Sequence, residues 1–273
     1  MAIVLQVFRF IPLLFVKCLR YGIYPMDVKI LGDYQKSDWN QTRLLMILNH
    51  TSLAEYLYGA ALPISLLWRM AGRLTFPVAA ETMALPIVGT LFRSMAPHAV
   101  PISRKRDASW QQFKAGIEDE SIVIILPEGR MMRKNGLDKY GKPMTVRRGV
   151  AELLPAFCGE KFLIAYSGGL HHILPPGAFF PRLFRRLSVN LEFVDTDRYL
   201  EEMQYEEGPD SFADRVKQDL EERCRRNKPA ILRTFFAGSS SFVLGATVVS
   251  ALAGWGCLSN LSPMLGSLNL CYC

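Results

Sequence analysis

Leu44-Leu45-Met46-Ile47-Leu48, followed at once by Asn49-His50-Thr51-Ser52-Leu53-Ala54-Glu55, is the stretch that decides the fold. Five consecutive apolar residues with no polar break read as a strand buried on both faces. An imidazole and a carboxylate then leave the carboxyl end of that strand, where open α/β sheets build their clefts. Ser52-Leu53-Ala54-Glu55 also reads as a capping box, a hydroxyl with a carboxylate three positions on. The two readings are compatible, because a carboxylate has several acceptor sites. Residues five apart lie roughly 140° apart on a helix, so His50 belongs to the loop and Glu55 to the first turn. From there the carboxylate takes the Nδ1–H and leaves Nε2 free as a base. The alternative is a plain helix start beside an ordinary loop histidine.

Outward from this stretch, strands and helices alternate. Val28–Leu31, Leu44–Leu48, His98–Ser103, Ser121–Leu126, Lys161–Tyr166 and Leu187–Val194 are expected as strands. Helices are expected over Leu53 to about Met70 with a break near Pro63, Leu85–Met95, Ala108–Glu120, Gly149–Phe157 and Asp210–Arg226. This alternation predicts an α/β fold, a sheet covered by helices. No internal repeat and no low-complexity linker interrupts it before residue 234.

The chain has 273 residues, half of them hydrophobic and 21% charged, with a formal net charge of +7. Its mean hydropathy is +0.13. It is apolar for a soluble enzyme and too charged for a protein of many membrane spans. A basic chain favours anionic partners. Its basic clusters lack regular aromatic interleaving and no nucleic-acid motif accompanies them, so nucleic acid is not an expected partner. The six cysteines show no zinc spacing, and reduced thiols in a cytosolic setting are expected. His171-His172 does not suggest a metal pair, and no metal is expected.

The two ends differ from the middle. Residues 1–25 carry Arg9, Lys17 and Arg20 but no acid among many apolar and aromatic residues. They are expected to form an amphipathic helix lying in a membrane interface; a helix packed on the core is the alternative. Residues 234–273 contain no charged residue. They are expected to be a hydrophobic tail, either a membrane anchor or packed on the domain, and the basic flank Arg223 to Arg233 favours a cytosolic body. A catalytic domain over 26–233 lies between.

A second chemical block, Ile125-Leu126-Pro127-Glu128-Gly129-Arg130, follows another buried strand. Proline ends the strand, glycine allows close backbone approach, and an arginine fork suits phosphate. Val100-Pro101-Ile102-Ser103-Arg104 offers a third strand end with a second arginine. An ordinary turn with a surface ion pair and a solvated basic loop are the alternatives. Tyr166-Ser167-Gly168-Gly169 lacks the first glycine of a nucleophile elbow, which argues against a serine hydrolase.

In order, Asn49 to Glu55, Ala80-Glu81 with Pro86 and Gly89, Arg104, Pro127 to Arg130 and Arg147-Arg148-Gly149 resemble the blocks of the glycerolipid acyltransferase family, lysophosphatidic acid acyltransferase type. The resemblance covers about residues 45–170. This chain has Glu55 where aspartate is commoner, no threonine between Gly129 and Arg130, and no proline in its last strand, which marks a divergent branch. The resemblance implies a mixed, largely parallel sheet flanked by helices. It implies transfer of an acyl group from acyl-CoA or acyl-ACP, as co-substrate rather than cofactor, to a glycerol-phosphate hydroxyl. 1-Acyl-glycerol 3-phosphate, giving phosphatidic acid, is the expected acceptor; other lysolipids (lysophospholipid, lyso-ornithine lipid) and glycerol 3-phosphate are alternatives. It further implies His50 and Glu55 as the catalytic pair, with Arg104, Glu128, Gly129 and Arg130 on the acceptor. Membrane lipids and the acyl carrier are the expected partners, at a membrane with the catalytic domain facing the cytosol. The non-enzymatic alternative is a basic peripheral lipid-binding module.

Overall fold

The computed structural model describes residues 2–230 apart from 85, 97, 104–107, 179 and 206–207. The tail expected over 234–273 therefore lies outside the described residues, as does Arg104. Seven strands form one sheet among the described residues: β1 (Met26–Leu31), β2 (Thr42–Leu48), β3 (Leu74–Ala79), β4 (His98–Ile102), β5 (Ile122–Ile125), β6 (Lys161–Ser167) and β7 (Leu187–Asp195). Their order is β1-β7-β6-β2-β5-β3-β4. Every neighbouring pair is parallel except β6 with β7. The sheet is mixed and largely parallel, as expected.

β2 sits at the centre, between β5 and β6. Its side chains alternate between two cores: Leu45 faces one, while Leu44, Met46 and Leu48 face the other. Both faces are covered, which is why the strand reads as a continuous apolar run. One core is closed by α1 (Ala2–Leu19), a 3-10 segment (Leu53–Ala61) and α3 (Ile64–Arg73), which follows α2 (Asp38–Gln41) in the chain. α4 (Ala80–Met83), α5 (Pro86–Met95) and α6 (Ser109–Ala115) come next. The other core is closed by Phe113 of α6, by the 3-10 segment Leu154–Phe157, and by α7 (Thr196–Glu202) and α8 (Pro209–Asn227).

Several expected elements differ in kind or extent. The helix expected from Leu53 is a 3-10 segment that ends before Pro63, and α3 starts after that proline; the break falls where the missing N–H requires it. The helix expected over Ala108–Glu120 stops at Ala115, because Gly116 caps it and Ser121 closes a turn onto the Glu118 N–H. The helix expected over Gly149–Phe157 is two 3-10 pieces, Arg148–Val150 and Leu154–Phe157, with Pro155 in the second. β3 was not among the expected strands. Its ladder with β5 covers only Leu74 and Thr75, whereas its ladder with β4 runs from Thr75 to Ala79 and includes Pro77, opposite Val100.

α1 does two things at once. Leu13 and Val16 are buried in the core, whereas Ile3, Phe8 and Phe15 are 71%, 64% and 63% exposed. Lys17 Nζ donates to the carbonyls of Leu62 (2.6 Å) and Ala60 (3.3 Å), tying the helix to the end of the 3-10 segment. No helix among the described residues is long and apolar enough to cross a membrane.

Candidate active site

The carboxyl ends of β2, β5 and β6 point the same way, because these three strands are mutually parallel. β2 and β5 pair Met46 with Ile125. Three residues beyond that pair on each strand stand Asn49 and Glu128. There the Asn49 N–H donates to Glu128 Oε1 at 2.7 Å, so the sheet register is continued by a side chain. Asn49 adopts φ +66°, a left-handed conformation that asparagine tolerates better than most residues. Its side chain donates to the Ser167 carbonyl at the end of β6, at 2.7 Å. The chain thus leaves β2 in a sharp bend pinned to both neighbouring strands, and His50 follows.

His50 Nδ1 is hydrogen-bonded to Glu55 Oε2. Glu55 is buried, and its other oxygen accepts from the Thr51 N–H (2.6 Å) and the Ser52 N–H (3.2 Å). Ser52 Oγ accepts from the Ala54 N–H at 3.0 Å and donates to the Leu174 carbonyl at 2.7 Å. Glu55 is therefore cap and imidazole partner together, one oxygen for each.

Burial works against a charged His50, but the charge and hydrogen bond of Glu55, helped by the charge of Glu128, outweigh it and hold its pKa above the usual histidine value. Glu128 is also raised, which for a carboxylate favours the neutral form. Burial lifts it to about 6, against the Asn49 N–H and the nearby imidazole, which lower it. Its Oε2 has no partner among the described residues. Glu128, which was expected to shape the acceptor site, holds the bend that presents His50 and is not among the residues lining the cavity described next.

Gly129 (φ +62°) and Arg130 do reach the cavity. It measures about 470 Å³ and runs from His50, Gly129, Arg130 and Arg147 at its mouth to Leu45, Met70 and Leu163 beneath the sheet. That size suits an organic ligand rather than water alone, and its depth is apolar. Arg130 also has a fixed partner that the sequence did not suggest: its Nη1 is paired with the buried carboxylate of Asp138, and its guanidinium lies 5.3 Å from the centre of the Tyr140 ring. Arg147 was read only as part of a basic block. Its backbone N–H donates to the Pro127 carbonyl at 2.8 Å, which places it beside Gly129. Burial and the neighbouring Arg130 charge lower its pKa despite Asp138. Its neighbour Arg148 turns away to Asp214 (2.9 Å) on α8.

The acyltransferase family model matches residues 29–162, the segment that carries the second half of β1, all of β2 through β5, His50, Glu55 and the Glu128–Arg130 turn. The domain belongs to the acyltransferase family. The chain is also similar to the crystal structure of the 1-acyl-sn-glycerophosphate (LPA) acyltransferase from Thermotoga maritima. The two are 14% identical, 84% of this chain and 100% of that chain are covered, and the TM-score is 0.40. That score adds nothing to the strand order seen directly. A comparison with curated proteins returns no match. In this acyltransferase the described residues hold no cluster of His, Cys, Asp and Glu arranged to bind a metal.

Proposed function

We propose that the protein transfers a fatty acyl group from a thioester, acyl-CoA or acyl-ACP, to the free hydroxyl of a glycerol-phosphate lipid, 1-acyl-glycerol 3-phosphate above all, giving phosphatidic acid. The observation that carries this reading is the His50–Glu55 pair at the mouth of a deep apolar cavity. With Glu55 on Nδ1, Nε2 is the nitrogen left to the substrate. The acceptor hydroxyl gives its proton to Nε2 as its oxygen attacks the thioester carbonyl. The tetrahedral intermediate collapses, the carbon–sulfur bond breaks, and the leaving thiolate takes the proton from the imidazolium. Glu55 stabilises that cation and fixes the ring. The apolar depth of the cavity accepts the acyl chain.

Arg147 and Arg130 repel one another at the cavity mouth. A phosphate placed between them relieves that repulsion and accepts charge-assisted hydrogen bonds. Arg147 is the freer of the two, because Arg130 is already paired with Asp138. Membrane association through the exposed face of α1 brings the domain to its lipid acceptor.

Thiol release from acyl-CoA and acyl-ACP, measured with a panel of acceptors, tests the reading. The fastest release is expected with 1-acyl-glycerol 3-phosphate. Preference for glycerol 3-phosphate or another lysolipid would replace the acceptor. No release with any acceptor, together with vesicle binding, would leave a lipid-binding module.

A further inference from the structure

Beyond β6 the chain makes an excursion that the mechanism above does not use. It leaves the carboxyl end of β6, the edge at which His50 stands, and returns as β7 at Leu187. Its base is fastened to the active-site loop. The Leu170 N–H donates to Thr51 Oγ1 (2.7 Å), the Leu174 carbonyl accepts from Ser52 Oγ (2.7 Å), and His171 Nε2 meets the Met132 carbonyl (2.6 Å). The base is also closed on itself. The Arg182 N–H donates to the Ile173 carbonyl (2.8 Å), and His172 Nε2 meets the Arg186 carbonyl (2.9 Å). The excursion is thus held at its neck and leaves only its tip to solvent.

The tip is built unlike the neck. Phe180, Leu183 and Phe184 are 79%, 51% and 60% exposed, although side chains of this kind are ordinarily buried. Phe184 also holds φ +57°, a left-handed conformation that a bulky residue enters only under strain. An aromatic ring kept in solvent on strained backbone is unfavourable twice over, and a partner at that surface would offset both. Charge says which partner. No Asp or Glu occurs between Glu160 and Glu192, while Arg182, Arg185 and Arg186 fall within the excursion. Arg186 pairs with Asp27 (2.6 Å). Arg182 is exposed and its side chain has no acidic partner among the described residues. Phenyl and isobutyl groups interleaved with guanidinium and free of carboxylate fit the interface of an anionic bilayer, with acyl carbons for the one and phosphates for the other. The excursion also ends beside the stretch that carries α1 into β1. There the Leu187 N–H donates to the Pro25 carbonyl (2.8 Å), and Tyr21 in the same stretch is exposed.

We propose that residues 180–184 form a second membrane contact, inserted into the interface of an anionic bilayer beside the active-site loop. The contact goes beyond the acyl-transfer reading and is separate from the one assigned to α1. A helix lying in the interface leaves the domain free to roll about the helix axis; a second contact on another element removes that freedom. Because the neck is bonded to Thr51 and Ser52, the two residues after His50, the tip sets how the reacting imidazole stands relative to the lipid surface.

Co-sedimentation of the full chain with vesicles of phosphatidylcholine, alone or mixed with phosphatidylglycerol, tests the contact. F180S/L183S should weaken binding to the mixed vesicles roughly tenfold or more. R182Q should weaken it roughly fivefold on the mixed vesicles and leave binding to phosphatidylcholine alone unchanged. In an I3S/F8S/F15S background the natural tip should retain weak binding to the mixed vesicles, and adding F180S/L183S should abolish it, which separates the tip from α1. F180W reads the contact without removing it: the added emission should shift to the blue on mixed vesicles and be quenched by brominated acyl chains. No vesicle binding by the natural chain, equal binding by F180S/L183S, or an unshifted F180W emission overturns the proposal. Loss of a dimer rather than of vesicle binding, in sedimentation velocity of F180S/L183S, also overturns it and assigns the tip to a second copy of this chain. Thiol release with a detergent-dispersed acceptor should be unchanged in F180S/L183S, while release with a vesicle-borne acceptor falls. Equal losses with both acceptors overturn the proposal, because the tip would then only support the active-site loop. If the natural chain releases thiol from no donor, the acyl-transfer reading fails, and the vesicle result still decides the contact.

Discussion

His50 must be neutral to accept a proton, and Glu55 makes that harder by holding the imidazole pKa above its usual value. Activity should therefore fall as pH drops through a midpoint above about 6.5. Glu55→Gln keeps the capping hydrogen bonds but removes the charge. A pH–rate profile should show the acidic limb moved to lower pH and kcat reduced; an unchanged profile would make Glu55 a cap and nothing more. Glu128 carries the opposite linkage from a normal ion-paired carboxylate. Its folded pKa of about 6 exceeds the unfolded value near 4.5, so its contribution is most favourable below 4.5 and is lost as pH rises towards 6. A shift of that size corresponds to at most about 2 kcal/mol. Denaturation of Glu128→Gln and the natural chain at pH 4.5 and 7.5 should show the variant gaining relative stability at the higher pH by up to that amount. His50 and Glu55 were legible in the sequence because both lie within one strand end and one turn. The role of Glu128 was not, because its partner, Asn49, is 79 positions away and meets it only through the register of β2 with β5.

Elements position these residues through their ends. The 3-10 segment starts at the Ser52 cap and ends on Lys17 of α1, so α1 and the active-site loop share one short scaffold. Lys17→Met removes the donor to two carbonyls and should cost about 1–3 kcal/mol of stability in denaturant titration, without altering the His50–Glu55 contact. A cost near zero would mean that Leu13 and Val16 alone dock the helix. Periodicity revealed β2, β5 and α8 because their apolar patterns are long or unbroken. It missed β3, which is short and carries a proline, and it overran α6, which a glycine stops. The turn after Arg130 left no periodic signal. Its organiser, Asp138, is an unremarked acid among lysines, and only the fold shows that it claims Arg130.

At the scale of the whole molecule, the sheet brings three parallel strand ends to one edge, and α1 leaves an exposed apolar face, the surface that the proposed membrane association would use. Replacing Ile3, Phe8 and Phe15 together by serine removes much of that surface while sparing the buried Leu13 and Val16. Sedimentation with anionic vesicles should show clearly weaker binding, while turnover of a detergent-dispersed acceptor persists; equal vesicle binding would place the contact elsewhere. The fold class was legible because alternating strands and helices admit few arrangements. The one antiparallel strand pair among the described residues, β6 with β7, was not, since strand direction depends on the path of the connecting chain rather than on residue pattern. The central claim is that His50 is the base of an acyl transfer. The most direct measurement is thiol release from acyl-CoA by His50→Ala with 1-acyl-glycerol 3-phosphate as acceptor, on protein shown by circular dichroism to be folded. A fall of roughly 10²–10⁴ in kcat is predicted; turnover near that of the natural chain would contradict it.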